Sequence, residues 1–268
     1  MRQWWSGQVI RNVVRSQMAL AACLALVSTT VMAQGATRIA PLDTTAINAL
    51  RRMGSYLRGL AAFTVEGQTL QDEMLPNGQY ASVAGTLSYI VRPPDRLRAE
   101  IRTDRKQRQL FYDGKTLTIY APRMQYYASA PAPATILATM DSARKRYEVD
   151  FPLADLFLWG TPRDGIKDLT AASYVGPAYV DGVDTDQYIF REPGADWQLW
   201  IQRGNTPFPR RIVITTTSNS AKPRYLVTMH WNTTPILGDA VFAFSPPKGA
   251  QRIVLASTGG AVSASGTK

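Results

Sequence analysis

The side chains with the strongest intrinsic reactivity are scarce in this sequence. The chain of 268 residues contains one cysteine, Cys23, and one histidine, His230. Hydrolytic triads use histidine as the base, and zinc sites need several histidines or cysteines. One isolated histidine supplies neither arrangement, so we interpret His230 as a polar residue on a strand.

Carboxylates are the remaining candidates for acid–base chemistry. The 20 acidic residues are scattered, and the sequence contains no paired-carboxylate motif, calcium loop or glycine-rich phosphate loop. We therefore predict a protein that is not an enzyme, with no cofactor and no metal. Two close carboxylates in a wet cleft would revive the enzyme hypothesis.

The N-terminal segment has the three parts of a secretory signal peptide. Arginines within residues 2–15 form a positive lead, residues 18–27 are apolar, and residues 31–33 offer small side chains at cleavage spacing. The apolar run is shorter than the roughly 20 residues that a transmembrane helix needs. We predict export to the periplasm, with residues 1–33 removed after Ala33.

Residues 20–23 also match a lipobox, in which Cys23 would be lipidated. The short apolar run before Cys23 and the apolar residues after it argue against this alternative. Cleavage after Ala33 removes the only cysteine and lowers the net charge from +10 to +7, since the segment carries three arginines and no acid. The remaining positive charge is dispersed among acids, so we predict no nucleic-acid partner.

Hydrophobic periodicity predicts a helix, then strands, two helices and strands again. The first helix starts at Asp43 or Thr44 and ends near Leu60, and the central helices cover residues 134–147 and 152–159. The predicted strands are 63–70, 80–91, 96–102, 107–112, 115–120, 124–128, 171–175, 179–180, 185–191, 196–202, 210–217 and 224–231, followed by a last one containing Phe242 and Phe244.

Consecutive hairpins of this kind imply one large antiparallel sheet, and a sheet that long curls. We predict a mainly β fold in which a curved half-barrel is covered on its concave side by a few helices. A single domain spans residues 34–256, and residues 257–268 form a disordered tail rich in small polar residues.

Two segments, Asp196–Gly204 and Pro207–Thr215, resemble the periplasmic proteins of domain-of-unknown-function family 2092, which looks related to the LolA/LolB-like lipoprotein-localisation superfamily. Where many relatives carry a cysteine and a histidine, this chain has Val183–Gln187. The resemblance implies a half-barrel with a helical lid over an apolar cavity that carries acyl chains, or a periplasmic sensor. Further matching segments are Arg92–Arg98, Tyr112–Thr116, Phe151–Leu156, Tyr174–Gly176 and Phe244–Ala250.

Large apolar side chains on two predicted strands and on the second central helix could line such a cavity, where methionine and aromatic groups suit a flexible chain. The alternative is an ordinary core, and the helix could equally be a lid, a permanently buried element or an exposed patch for a membrane or partner. The candidate ligand-binding residues are Leu156, Phe157, Trp159, Trp197, Leu199, Ile201, Tyr225, Val227, Met229 and Trp231.

Arg96, Arg98 and Arg102 alternate with apolar residues on one predicted strand. The guanidinium fork suits phosphate, so anionic lipid head groups are candidate ligands. A solvated strand face with internal ion pairs is the alternative.

These observations predict a monomeric periplasmic carrier or chaperone for a lipid or an acylated protein, with an inner- or outer-membrane protein as a possible partner. The alternative is a sensor or scaffold with a self-filled core that binds a protein.

Overall fold

The computed structural model describes residues 42–255 of the chain. Three α-helices lie in this part: α1 (Thr44–Arg58), α2 (Ile136–Tyr147) and α3 (Asp155–Leu158). The strands are β1 (Phe63–Met74), β2 (Tyr80–Arg92), β3 (Arg96–Thr103), β4 (Gln107–Tyr112), β5 (Thr116–Ala121), β6 (Tyr126–Pro131), β7 (Ala171–Val180), β8 (Val183–Glu192), β9 (Ala195–Gln202), β10 (Pro209–Thr216), β11 (Arg224–Asn232) and β12 (Gln251–Arg252).

All twelve strands belong to one sheet, in the order β12-β6-β5-β4-β3-β2-β1-β11-β10-β9-β8-β7. The pairing of β1 with β11 joins an N-terminal half built of hairpins to a C-terminal half built the same way. Every neighbouring pair is antiparallel except β12 and β6, which are parallel. The predicted open sheet with a helical layer is confirmed, and the parallel pair at one edge is a departure from it.

Helix α1 forms where the apolar stripe was expected. The Asp43 carboxylate accepts a hydrogen bond from the backbone N–H of Thr45 at 2.8 Å, which caps the first turn. The same carboxylate accepts a hydrogen bond from the N–H of Tyr174 at 2.9 Å, so the cap also ties the helix to β7. The buried face of α1 includes Leu50 and Met53, and it rests on the sheet.

The helical layer contacts strands in both halves of the sheet. Phe157 packs edge-on against Tyr89 of β2, with ring centroids 5.6 Å apart. Two residues later, Trp159 stacks on Trp197 of β9 at 6.5 Å. Strands β2 and β9 are four positions apart in the sheet, so the sheet curves around the short helix α3.

Two sequence predictions about irregular segments were wrong. Residues 152–159 form a helix only over Asp155–Leu158, because Leu153 has a positive φ of 56°. Phe242 and Phe244 do not belong to a strand. They anchor a C-terminal strap, residues 239–252, on the outer face of the sheet, where Phe244 packs 5.2 Å from Phe111. Side-chain packing holds the two phenylalanines, whereas β12 at the end of the strap pairs with β6 through its backbone.

The strand predicted in two pieces, 171–175 and 179–180, is the single strand β7, with a bulge between Tyr174 and Gly176. Residues 1–41 and 256–268 lie outside the described part of the chain. The predicted signal peptide, Cys23 and the C-terminal tail therefore stay sequence-based predictions. Within residues 42–255, no helix is long and apolar enough to cross a membrane.

Candidate ligand-binding cleft

A cleft of about 290 Å³ opens on the helix-covered side of the sheet. It lies where the β1–β2 hairpin projects beyond β3 and β11, and its roof is the segment 150–154 between α2 and α3. This volume is near the lower end of the range of ligand pockets, roughly 300 to 1,000 Å³. Apolar side chains that line the cleft include Leu87, Ile101, Phe151, Leu153, Ile214 and Tyr225.

Two contacts define the roof of the cleft. The Tyr89 hydroxyl donates a hydrogen bond to the carbonyl oxygen of Pro152. The next residue, Leu153, has a left-handed backbone conformation that a bulky L-residue rarely adopts. Burial raises the pKa of Tyr89 well above its ordinary value, so the phenol is a hydrogen-bond donor across the physiological range. The roof is thus held by a buried donor and carries local strain.

Leu153 and Ile214 separate the cleft from a second, much smaller void. That void measures about 10 Å³, space for about one water molecule, and both residues border both spaces. Among the predicted ligand-binding residues, Leu156, Trp159 and Trp197 line the inner void. Displacement of Leu153 would join the two spaces.

The other predicted ligand-binding residues occupy three places. Tyr225 lines the cleft. Trp231 lies at the opposite end of β11, where its indole N–H donates to the carbonyl oxygen of Pro209 at 2.8 Å. The rest are sealed in the core against neighbouring side chains: Phe157, Leu199, Ile201, Val227 and Met229.

Helix α3 is attached to α1 through an arginine. The Arg58 guanidinium donates hydrogen bonds to the carbonyl oxygens of Leu156 at 2.8 Å and Phe157 at 3.2 Å. Partial burial lowers the pKa of Arg58. These bonds satisfy carbonyl groups at the end of a helix too short to satisfy them itself.

The mouth of the cleft carries charges of both signs, on residues that were not among the predicted ligand-binding residues. Asp72 and Glu73 belong to β1, Asp150 to the roof, Lys106 to the β3–β4 turn and Arg224 to the start of β11. The sequence signal was present in β1, whose inward positions turn from apolar to polar after Gly67. The cleft therefore combines an apolar interior with a charged mouth.

The three arginines predicted to contact head groups lie on β3, away from the cleft. Arg96 forms an ion pair with Asp95 at 2.7 Å, and Arg98 lies over the Phe111 ring at 5.0 Å from its centroid. Arg102 is exposed. Their alternation with the buried Leu97 places them on the outer face of the sheet.

His230 lies on β11 as expected, and its Nε2 is 3.5 Å from a carboxylate oxygen of Asp181. Asp155 and Glu192 are two buried carboxyl groups that line the inner void. A void of about 10 Å³ leaves no room for a substrate beside them. Within residues 42–255, no group of three or more histidine, cysteine, aspartate or glutamate side chains could hold a metal ion.

An open curved sheet, a helical layer and an apolar cleft with a charged mouth together form an open half-barrel in the described part of the chain. The chain belongs to domain-of-unknown-function family 2092, whose members are described as predicted periplasmic proteins and whose model matches residues 46–256. The family identified from the sequence motifs is therefore confirmed. A comparison with curated proteins found no match.

Solved structures similar to this chain include an uncharacterised conserved protein from Thermus thermophilus, with 13% identity, a TM-score of 0.44, and coverage of 78% of this chain and 99% of that one. Lipoprotein LppX of Mycobacterium tuberculosis has 12% identity, a TM-score of 0.45 and coverage of 73% and 98%. A LolA superfamily protein from Nitrosomonas europaea has 11% identity, a TM-score of 0.34 and coverage of 74% and 97%.

Proposed function

We propose that this protein is a non-enzymatic, monomeric periplasmic carrier that binds an acyl chain of a lipid or lipoprotein in the cleft. The observation that carries the proposal is an open cleft with an apolar interior, lined by Leu87, Ile101 and Ile214. Transfer of an acyl chain from water into such a space gains about 0.8 kcal/mol for each buried methylene group. The periplasmic description of the family agrees with the export segment predicted at residues 1–33.

The size of the cleft suggests how longer chains are accommodated. Movement of Leu153 would extend the cleft toward Leu156, Trp159 and Trp197, which already border the inner void. The strained backbone of Leu153 favours such a movement, since leaving the left-handed region relieves local strain. In this proposal, Leu156, Trp159 and Trp197 line the expanded cleft when an acyl chain is bound.

Ile101→Glu tests the proposal because this half-buried side chain lines the cleft. A fluorescent acyl probe should bind the parent protein in stoichiometric amount and bind Ile101→Glu at least about tenfold more weakly, since a buried unpaired carboxylate is costly. Ile189→Glu is the matched control, because Ile189 is exposed on β8 and away from the cleft. If Ile101→Glu bound the acyl probe as tightly as Ile189→Glu, the assignment of the cleft as the ligand site would be contradicted.

Leu199 and Met229 are less suitable test positions. They are 0% and 1% exposed in the packed core, so a charge there should unfold the protein rather than block a ligand. Loss of binding in those variants would say little about the cleft.

A second candidate function is a periplasmic sensor or scaffold that binds a protein. Strand β7 is an edge of the sheet and exposes apolar side chains, with Val175 52% and Tyr179 67% exposed. Exposed edges of this kind pair with strands of partner chains. Co-purification with a membrane protein and without lipid, lost in Tyr179→Lys, would favour this function over the carrier.

A further inference from the structure

We infer that the ligand of the cleft is an amphiphile with an anionic head group, which Lys106 and Arg224 bind at the mouth. This inference rests on the proposed function and specifies its ligand class. The shared chemistry is a carboxylate or phosphate attached to an acyl chain.

The acidic groups at the mouth already have partners within the protein. The Asp72 carboxylate accepts hydrogen bonds from the Ser82 hydroxyl at 2.9 Å and from the backbone N–H of Arg224 at 3.0 Å. The Glu73 carboxylate accepts hydrogen bonds from the Gln71 amide and from Arg105, the latter at 3.3 Å.

Asp150, in the roof, lies 3.9 Å from the guanidinium of Arg144. All three carboxylates at the mouth thus have a donor or a cation of this chain beside them. Arg105 and Arg144 compensate the charge of Glu73 and Asp150, whereas the donors to Asp72 are neutral.

The two cations at the mouth are in the opposite situation. Lys106 and Arg224 line the cleft and are exposed. Within residues 42–255, neither side chain forms a hydrogen bond or an ion pair; their backbone N–H groups donate to the Thr103 hydroxyl and the Asp72 carboxylate respectively. The positive charge available to a ligand at this mouth therefore exceeds the negative charge available.

The two cations flank the projecting β1–β2 hairpin. Lys106 follows β3 on one side, and Arg224 begins β11 on the other. Three strand spacings separate β3 from β11, about 14 Å across the sheet at about 4.8 Å per spacing. Lysine and arginine side chains are long enough to bend toward a head group at the mouth of the cleft.

The test measures displacement of a fluorescent acyl probe by four amphiphiles with the same 16-carbon chain: lysophosphatidylglycerol, palmitate, lysophosphatidylcholine and uncharged monopalmitoylglycerol. The protein variants are Lys106→Gln, Arg224→Gln and their combination. Arg108→Gln is the matched control, because Arg108 is exposed on the same β3–β4 hairpin but does not line the cleft.

The expected result is weaker binding of the anionic amphiphiles by roughly twofold to fivefold for each lost cation, with no change for monopalmitoylglycerol. Added salt should reduce the preference. A larger loss for lysophosphatidylglycerol than for palmitate would identify a phospholipid source, and the reverse a free fatty acid. Equal binding of all four amphiphiles would overturn the head-group inference and leave the carrier function standing, whereas no binding of any would overturn both.

Discussion

Gly54 of α1 and Gly160, just after α3, meet backbone to backbone. A methyl group on Gly54 would lie 2.5 Å from the backbone nitrogen of Gly160, and one on Gly160 would lie 2.4 Å from the carbonyl oxygen of Gly54. Carbon atoms cannot approach backbone atoms this closely, so only glycine fits either position. The two glycines allow α1 to press against the segment that follows the cleft roof, beside the Arg58 hydrogen bonds.

Gly54→Ala should therefore separate α1 from α3 and lower the free energy of unfolding by about 1 to 3 kcal/mol, as overpacking does elsewhere. Urea denaturation monitored by tryptophan fluorescence measures the change. Gly59→Ala is the control, since the nearest atom to its added methyl group is 3.4 Å away and its φ is −78°. Equal stability of the two variants would contradict the close contact.

Arg58→Met should loosen the attachment of α3 while keeping the aliphatic part of the side chain. Two hydrogen bonds to the carbonyl groups of Leu156 and Phe157 would be lost, at a cost of about 1 kcal/mol or somewhat more. Backbone hydrogen exchange should accelerate over residues 155–160 before it changes in β1. Arg52→Met, on the exposed side of α1, should leave that exchange unchanged.

Tyr89→Phe tests the buried donor that holds the roof. Loss of the hydrogen bond to Pro152 should lower the free energy of unfolding by about 1 kcal/mol at neutral pH. The folded-state pKa of Tyr89 is raised above the unfolded value, so its contribution is complete below about pH 10 and declines above it.

Stability of the parent protein should consequently fall as the pH rises above about pH 10, the ordinary pKa of tyrosine. The free energy of unfolding of Tyr89→Phe should decrease less steeply with pH. Burial also raises the pKa of Tyr225, which should account for the decrease that remains. Denaturation curves from neutral to strongly alkaline pH measure both slopes. The same decrease in the parent protein and in Tyr89→Phe would show that the Tyr89 phenol ionises equally well in the folded and unfolded states.

Phe242→Ala tests the C-terminal strap. Phe242 is fully buried beneath the Arg92 guanidinium, which lies 5.3 Å from the ring centroid, so truncation should cost about 3 to 5 kcal/mol. Because the strap lies on the outer face, acyl-probe affinity of the remaining folded protein should not change. Phe244→Ala removes a half-buried ring and should cost less. Loss of probe binding in folded Phe242→Ala would link the strap to the cleft.

Local patterns predicted the elements whose stability comes from their own sequence. The stripe through Leu50 and Met53 and the Asp43 cap located α1, and the turn at Asp113-Gly114 located the β4–β5 hairpin. Phe242 and Phe244 were predicted to lie on a strand because two aromatic residues at a spacing of two match the period of a strand. They are buried because they pack against side chains on the outer face of the sheet. The spacing of apolar residues cannot distinguish this kind of burial from that of a hydrogen-bonded strand.

Only part of the candidate site could be predicted from the sequence. Tyr225 and three residues that line the inner void were among the predicted ligand-binding residues, whereas Lys106, Arg224 and the roof were not. These groups come from separate strands and a loop, and tertiary structure alone brings them to one mouth. The run from Pro152 to Trp159 indicated burial correctly, while the left-handed Leu153 that interrupts its helix left no signature in the pattern.

Native mass spectrometry of the protein isolated from the periplasm, followed by extraction and identification of any bound lipid, tests the central claim most directly. We expect one amphiphile per chain in the parent protein and in Ile189→Glu, and little or none in Ile101→Glu. A ligand-free mass in all three, persisting after incubation with membrane lipids, would contradict the carrier function and favour the protein-binding alternative.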